Sequence, residues 1–295
     1  MMALPAGETR GNGPRNEISR RACLFGITGI APAKISAQSI GRADDRLLFE
    51  SGTVIVVAYA RKRVVIAADS KASFRTDGFQ DDVCKLSTPT GKIGFAAAGL
   101  VGVGDWHASD LARDAASRIV GDNPYLSESS LQNVAEAWTR AMAEKIRLLP
   151  PALVLEQRRE SQTAAIFAAL DRADDVNLVR ATVEPVSSGN GLDARTNIQS
   201  IPNTSEATGY LVFGRPDIAK EFLDGRTERA RAEIAKWSSY FAGSSDMDED
   251  IAIRLVELTS YFDQRKDLVG GPTAAIRIDG NGGVRWLRRP PNCLR

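Results

Sequence analysis

The chain has 295 residues, 43% of them hydrophobic and 25% charged, an ordinary balance for one large globular domain plus a leader. A formal net charge of +1 gives no electrostatic reason to expect nucleic acid or an acidic membrane surface as partner. No apolar run reaches the roughly 18 residues of a membrane span.

Residues 1–18 are polar and rich in Gly, Pro, Asn and Arg, which reads as disordered. Arg20-Arg21, a short apolar stretch to Ala33, Lys34 and a small-residue site near Ala37 resemble a twin-arginine export signal. The other reading is a propeptide that contains Arg-Arg by chance. The chain is accordingly expected either in the cytoplasm or exported, periplasmic or secreted. Residues 1–52 are the leader in either case, and 53–295 the folded domain.

From Thr53 the texture changes. Thr53–Ala60 and Val64–Asp69 are β-branched runs around the polar turn Arg61-Lys62-Arg63, which predicts a hairpin. A polar loop with Gly78 follows. Val83–Ser87 and Ile93–Ala98 flank Pro89-Thr90-Gly91 as a second strand pair. Apolar spacing predicts helices over Asp105–Val120 and Ser127–Leu148, the latter with Ser129 as N-cap. Strands are predicted at Thr163–Leu170, Val176–Val183 and Gly209–Phe213, with 184–207 as a long Ser/Gly/Asn/Thr-rich loop. Helical patterns return at Asp217–Leu223, Glu228–Trp237 and Asp248–Phe262. Thr273–Ile278 and Val284–Leu287 make a last hairpin around Asp279–Gly283. The order strands, helices, strands, helices, strands suits two sheets covered by helices on both outer faces.

Candidate chemistry is limited by what is scarce. Cys23, Cys84 and Cys293 make neither a disulfide framework nor a metal-ligand pattern, and nothing calls for a metal or a cofactor. A Cys84–Cys293 bridge would need an oxidising compartment, and the sequence does not demand one. The single histidine, His107, reads as a partly exposed helix residue beside Trp106. A hydrolase without a histidine base can use an N-terminal threonine, whose α-amino group titrates at about 7.7–8.0 and sits on the same residue as the nucleophile. Such a site also needs a lysine to favour the alkoxide, a carboxylate to hold the lysine, and a backbone N–H for the oxyanion. Thr53, Lys85, Asp69 and Gly99 supply these parts, and Gly52 leaves room at the bond to be cut.

The spacing of these residues resembles that of the proteasome β-subunit family and related bacterial threonine proteases. There the mature chain begins with Thr after Gly, as at Gly52-Thr53. Ala67-Ala68-Asp69-Ser70-Lys71 resembles the family's Ala-Ala-Asp-Ser-Arg motif, Lys85 stands at its catalytic lysine, and Ala98-Gly99 matches its Ala-Gly motif. All the offsets from Thr53 are met without a gap, and the match is strong over about 53–105. The resemblance implies an α/β (α+β) protein of four-layer αββα sandwich architecture. It implies Thr53 as nucleophile and base, Lys85 as activator, Asp69 as its partner and the Gly99 N–H as oxyanion donor. Lys71 replaces the family's Arg, where the backbone carbonyl contributes. Lys71, Ala72, Val83, Ala97 and Val101 fall at substrate-binding positions and suggest a small apolar pocket; plain core packing explains the four apolar ones equally well.

Two departures lie toward the C-terminus. Lys266-Asp267-Leu268-Val269-Gly270-Gly271 puts Val269 where the family has a serine and Lys266 where it has an aspartate, so Asp267 serves only with a one-residue shift of register. Phe213-Gly214-Arg215-Pro216 lacks the hydroxyl of the family's Gly-Ser-Gly-like segment. The expectation is a threonine endopeptidase, self-processed between Gly52 and Thr53, acting on peptides or proteins and assembled as a homo-oligomeric ring or with related subunits. The alternatives are a non-catalytic structural subunit, or an amidase of the same nucleophile class acting on a small amide.

Overall fold

In the computed structural model the described residues are 47–50, 53–60, 62–74, 78–80, 83–103, 106–120, 125–151, 154, 162–189, 191–201, 209–214, 216–240, 247–263, 269–280 and 283–294. The readings at Arg20-Arg21, Gly52, Lys266 and Asp267 lie outside them. The chain is a mixed α+β protein, with two antiparallel sheets and five α-helices among the described residues. None of these helices is long and apolar enough to cross a membrane.

Fourteen strands are described: β1 (Leu47–Glu50), β2 (Val54–Ala60), β3 (Arg63–Ala68), β4 (Ala72–Phe74), β5 (Gly78–Gln80), β6 (Leu86–Ser87), β7 (Gly94–Val103), β8 (Trp106–His107), β9 (Thr163–Leu170), β10 (Val176–Ser188), β11 (Gly191–Ile201), β12 (Gly209–Gly214), β13 (Ala274–Asp279) and β14 (Val284–Arg288). The helices are α1 (Ala108–Ile119), α2 (Glu128–Arg147), α3 (Pro216–Asp224), α4 (Glu228–Tyr240) and α5 (Met247–Phe262), with a 3-10 turn at Pro291–Leu294. The first sheet runs β11-β10-β9-β7-β1-β4-β5, with β6 and β8 also paired to β7. The second runs β12-β2-β3-β13-β14.

Alternation along each strand sends successive side chains to opposite faces, and here both faces are covered. In β2, Ile55 and Val57 join Ile66, Ile276, Ala96, Ile166 and Leu178 in a cluster shared by the two sheets. The intervening Val54, Val56 and Ala58 join Phe222, Ala252, Leu255 and Val256 from α3 and α5. On the first sheet, Phe95, Phe167 and Val179 turn away from that shared cluster and pack with Leu131, Val134, Trp138 and Met142 of α2. Phe95, Phe167 and Trp138 meet edge-on or tilted, and the Trp138 indole donates to Ala108 O at 3.0 Å, so its one polar atom is satisfied.

The structure corrects three local expectations. The interval 184–207 is not a loop throughout: β10 continues to Ser188, and β11 pairs with it from Gly191 back to Ile201. Its Ser, Gly and Asn content reads as loop, but Ser188 pairs with Gly191, so β11 is the return strand of a hairpin whose ladder satisfies its backbone groups. The cap of α2 is Ser127, which accepts from Ser130 N–H at 3.2 Å, rather than Ser129. His107 precedes α1 as its N-cap instead of lying within it; its Nδ1 accepts from Ser109 N–H at 3.3 Å.

Residues 43–295 form one compact unit. Strand β1 therefore belongs to the folded body although it precedes Thr53. It lies between β4 and β7, antiparallel to both, and its last residue, Glu50, stands opposite Gly99.

Candidate active site around Thr53

The hairpin β2–β3 makes the first half of the site. Pairing of Ile55 with Ala68 brings Asp69 back to the start of β2, where its N–H donates to Val54 O at 3.3 Å. The Asp69 side chain then turns over the strand start. Oδ1 accepts from Val54 N–H at 3.0 Å, and Oδ2 accepts from Gly270 N–H at 3.2 Å and Lys71 N–H at 3.4 Å.

Lys85 supplies the second half from the first sheet, one residue before β6. Its Nζ donates to Asp69 Oδ1 at 2.9 Å and to Thr53 Oγ1 at 2.7 Å. Thr53 and Asp69 have no exposed surface and Lys85 retains 4%. Burial pushes the Asp69 carboxyl above the ordinary carboxylate range, opposed by the Lys85 ammonium and by the Val54 and Gly270 N–H groups. An ammonium aimed at a threonine hydroxyl has no lone pair with which to remove its proton. It can orient the hydroxyl and stabilise an alkoxide once another base has acted.

Two glycines fit the backbone around this group. Gly99 has φ +101°, and a Cβ there would collide with the Gln162 carbonyl. Gly214, the end of β12, pairs with Val54 at φ +79°, and a Cβ there would strike the Thr53 carbonyl. Gly214 therefore lets the two backbones approach closely at Thr53, which no larger residue would allow.

Backbone groups of 270–272 complete the surroundings of Asp69. Ser70 N–H donates to Gly270 O at 3.1 Å and Ser70 Oγ donates to Pro272 O at 2.6 Å, which clamps 270–272 against the Asp69 segment. Gly270 is thus held where its N–H reaches Asp69. Val269, at the position of the family's serine, is 2% exposed and packs in the cluster beneath α3–α5. The sequence signal for this clamp was the Gly270-Gly271 pair itself.

The structure brings Thr53, Asp69 and Lys85 into direct contact, with Lys71 joined through its N–H. Gly99 lies opposite Glu50 on β7. Ala97 and Val101 are buried in the cluster shared with α1 and α2, and Val83 is half-buried, its N–H donating to Ser70 O at 2.8 Å. Ala72 opens β4, next to β1. No protein-family model matches the sequence, and no curated protein matches it significantly.

Proposed function

We propose that this chain is a self-processing threonine endopeptidase of proteasome-β-like, four-layer αββα architecture. The observation that carries the reading is the buried Lys85 Nζ, 2.7 Å from Thr53 Oγ1 and 2.9 Å from Asp69 Oδ1. Three apolar clusters support the layer order: one between helices and the first sheet, one between the sheets, and one between the second sheet and helices.

Thr53 Oγ1 attacks the Gly52 carbonyl carbon, and the amide becomes an ester as the peptide nitrogen takes a proton. Water then hydrolyses the ester, leaving a carboxylate on Gly52 and a free amine on Thr53. That amine serves as base in later turnovers, removing the Oγ1 proton while Lys85 stabilises the alkoxide and the Gly99 N–H receives the oxyanion. The acyl group passes to Thr53 Oγ1 as the leaving amine takes the proton from the Thr53 ammonium and departs, and a second water hydrolyses the ester to release the acid.

Strand β1 favours a peptide over a small amide. It fills a slot with a strand on each side, so its release after processing leaves two backbone edges able to receive an extended chain. The structural-subunit reading has its own support in Val269, an apolar core residue at the position matched in sequence to the family's serine.

The test is the intact mass and N-terminal sequence of the wild type beside Thr53→Ala. The expected result is a wild-type chain beginning at Thr53, a mutant uncut at that bond, and a peptide vinyl sulfone label on Thr53. A wild type that keeps the Gly52–Thr53 bond would favour the structural subunit. Processing with hydrolysis of small amides but not peptides would favour the amidase.

A further inference from the structure

The Thr53 group is divided between the sheets. Thr53 and Asp69 belong to the β2–β3 hairpin of the second sheet, whereas Lys85 precedes β6, which pairs with β7 of the first. Lys85 also lacks a long strand of its own: residues 83–85 are irregular and β6 is two residues long. Its backbone is held on one side by Val83 N–H to Ser70 O and on the other by the pairing of Leu86 with Ala96.

Cys84, between those two ties, is bridged to Cys293, 209 residues away in the chain, with a Cα–Cα distance of 5.1 Å. Cys293 lies in the 3-10 turn Pro291–Leu294 and is 5% exposed within the cluster shared by the sheets. That turn is anchored to the second sheet. Arg289 Nε donates to Cys293 O at 3.1 Å, and the Arg289 guanidinium lies over the Trp286 ring of β14 at 5.4 Å. The bridge therefore runs from the residue before Lys85 to the sheet that carries Thr53 and Asp69. It spans the same seam that the Lys85 Nζ to Thr53 contact spans.

We propose that the Cys84–Cys293 disulfide positions Lys85 against Thr53 and makes the reactivity of Thr53 depend on an oxidising environment. This rests on the reading of Thr53 as nucleophile. In a reducing compartment both cysteines are thiols, Lys85 is free to drift from the hydroxyl, and the precursor stays uncut. A disulfide reagent such as oxidised glutathione then takes two electrons from the pair. Each cysteine loses a proton, the Cys84–Cys293 bond forms, and two molecules of reduced glutathione leave. Self-processing follows the bridge, so a hydrolase with this arrangement is silent where it is made and active where disulfides persist.

The experiment uses the full-length chain in a Cys23→Ser background, so that only this pair responds. The protein is purified reduced, and half is oxidised with glutathione disulfide, which is then removed. Cleavage before Thr53 is followed by intact mass, and vinyl sulfone labelling of Thr53 by rate over pH 5–9, both well below the melting temperature. The expected result is that oxidation speeds cleavage and labelling about tenfold or more and changes the pH profile of labelling. Cys293→Ala should stay slow with or without oxidant. If that variant does not fold, re-reduction of the oxidised wild type should return the slow rate. A bridge that raises the melting temperature but leaves rate and pH profile unchanged is only a staple, and overturns the proposal. So does a pair whose thiols stay open to alkylation after oxidation. An oxidised chain with the bridge formed, but no cleavage or labelling at Thr53, overturns the nucleophile reading and this proposal with it.

Discussion

Asp69 is surrounded by donors: the Lys85 ammonium and the N–H groups of Val54, Gly270 and Lys71. Both side chains of the Asp69–Lys85 pair have no exposed surface. A pair buried this way adds less net stability than its distance suggests, because desolvation offsets the attraction, but removing one partner leaves the other charge stranded. Lys85→Ala is therefore expected to lower unfolding free energy by about 3–5 kcal/mol in urea titration. The double variant Asp69→Asn, Lys85→Met should recover most of that loss and, under the proposed function, stay uncut before Thr53. A stability loss in the double as large as in the single would mean that packing, not charge, dominates. Thr53, Asp69, Lys85 and Gly99 could be proposed from the sequence because each side chain or backbone group has a chemical task and their spacing matches a known pattern. Gly214 and Gly270 could not be assigned tasks the same way, since they act through close approach and a backbone N–H.

At the scale of the element, the N-terminus of α1 depends on His107. Its Nδ1 accepts from Ser109 N–H, which requires the neutral ring, and burial holds its pKa below the ordinary value of 6.5 despite the opposing charge of Asp110. A base whose folded-state pKa is lowered contributes stability that is complete above about 6.5 and is lost as pH falls through the folded-state value. The midpoint of denaturation should accordingly fall between pH 7 and pH 5 in the wild type, and fall less in His107→Asn, which keeps a cap acceptor. Equal pH dependence in the two proteins would assign the loss to other groups. Regular helices with a single apolar stripe were legible to within a few residues at their ends: α2 was expected over 127–148 and spans Glu128–Arg147. Strands with mixed composition were not. The polar β11 owes its place to β10, and the short β4 and β5 exist as partners in the sheet that β1 joins.

For the whole molecule, the Cys84–Cys293 bridge closes a span of 209 residues. Chain-entropy reasoning assigns a loop this long about 5 kcal/mol of stabilisation, acting on the unfolded ensemble. At roughly 2–4 °C per kcal/mol for a domain of this size, reduction should lower the melting temperature by about 10 °C or more. Differential scanning calorimetry of oxidised and reduced protein measures this directly. A shift of only a degree or two would show that the unfolded chain retains structure that already brings the two cysteines together. This stability effect is separate from the positioning of Lys85, which is read by rate and pH profile at temperatures where both forms are folded.

Local physics alone accounts for the β2–β3 hairpin, the apolar stripes of the helices, and the identity and spacing of Thr53, Asp69, Lys85 and Gly99. These depend on alternation, helical period and side-chain chemistry, all of which act over a few residues. The remaining features come from packing in three dimensions. It placed β1 between β4 and β7, seated Gly270 on Asp69 and Gly214 on the Thr53 carbonyl, and joined Cys84 to Cys293. Each of these joins groups distant along the chain or turns on the room left by a missing Cβ, so no local pattern carries it. The two sheets had to pack before Lys85 of one could meet Thr53 of the other.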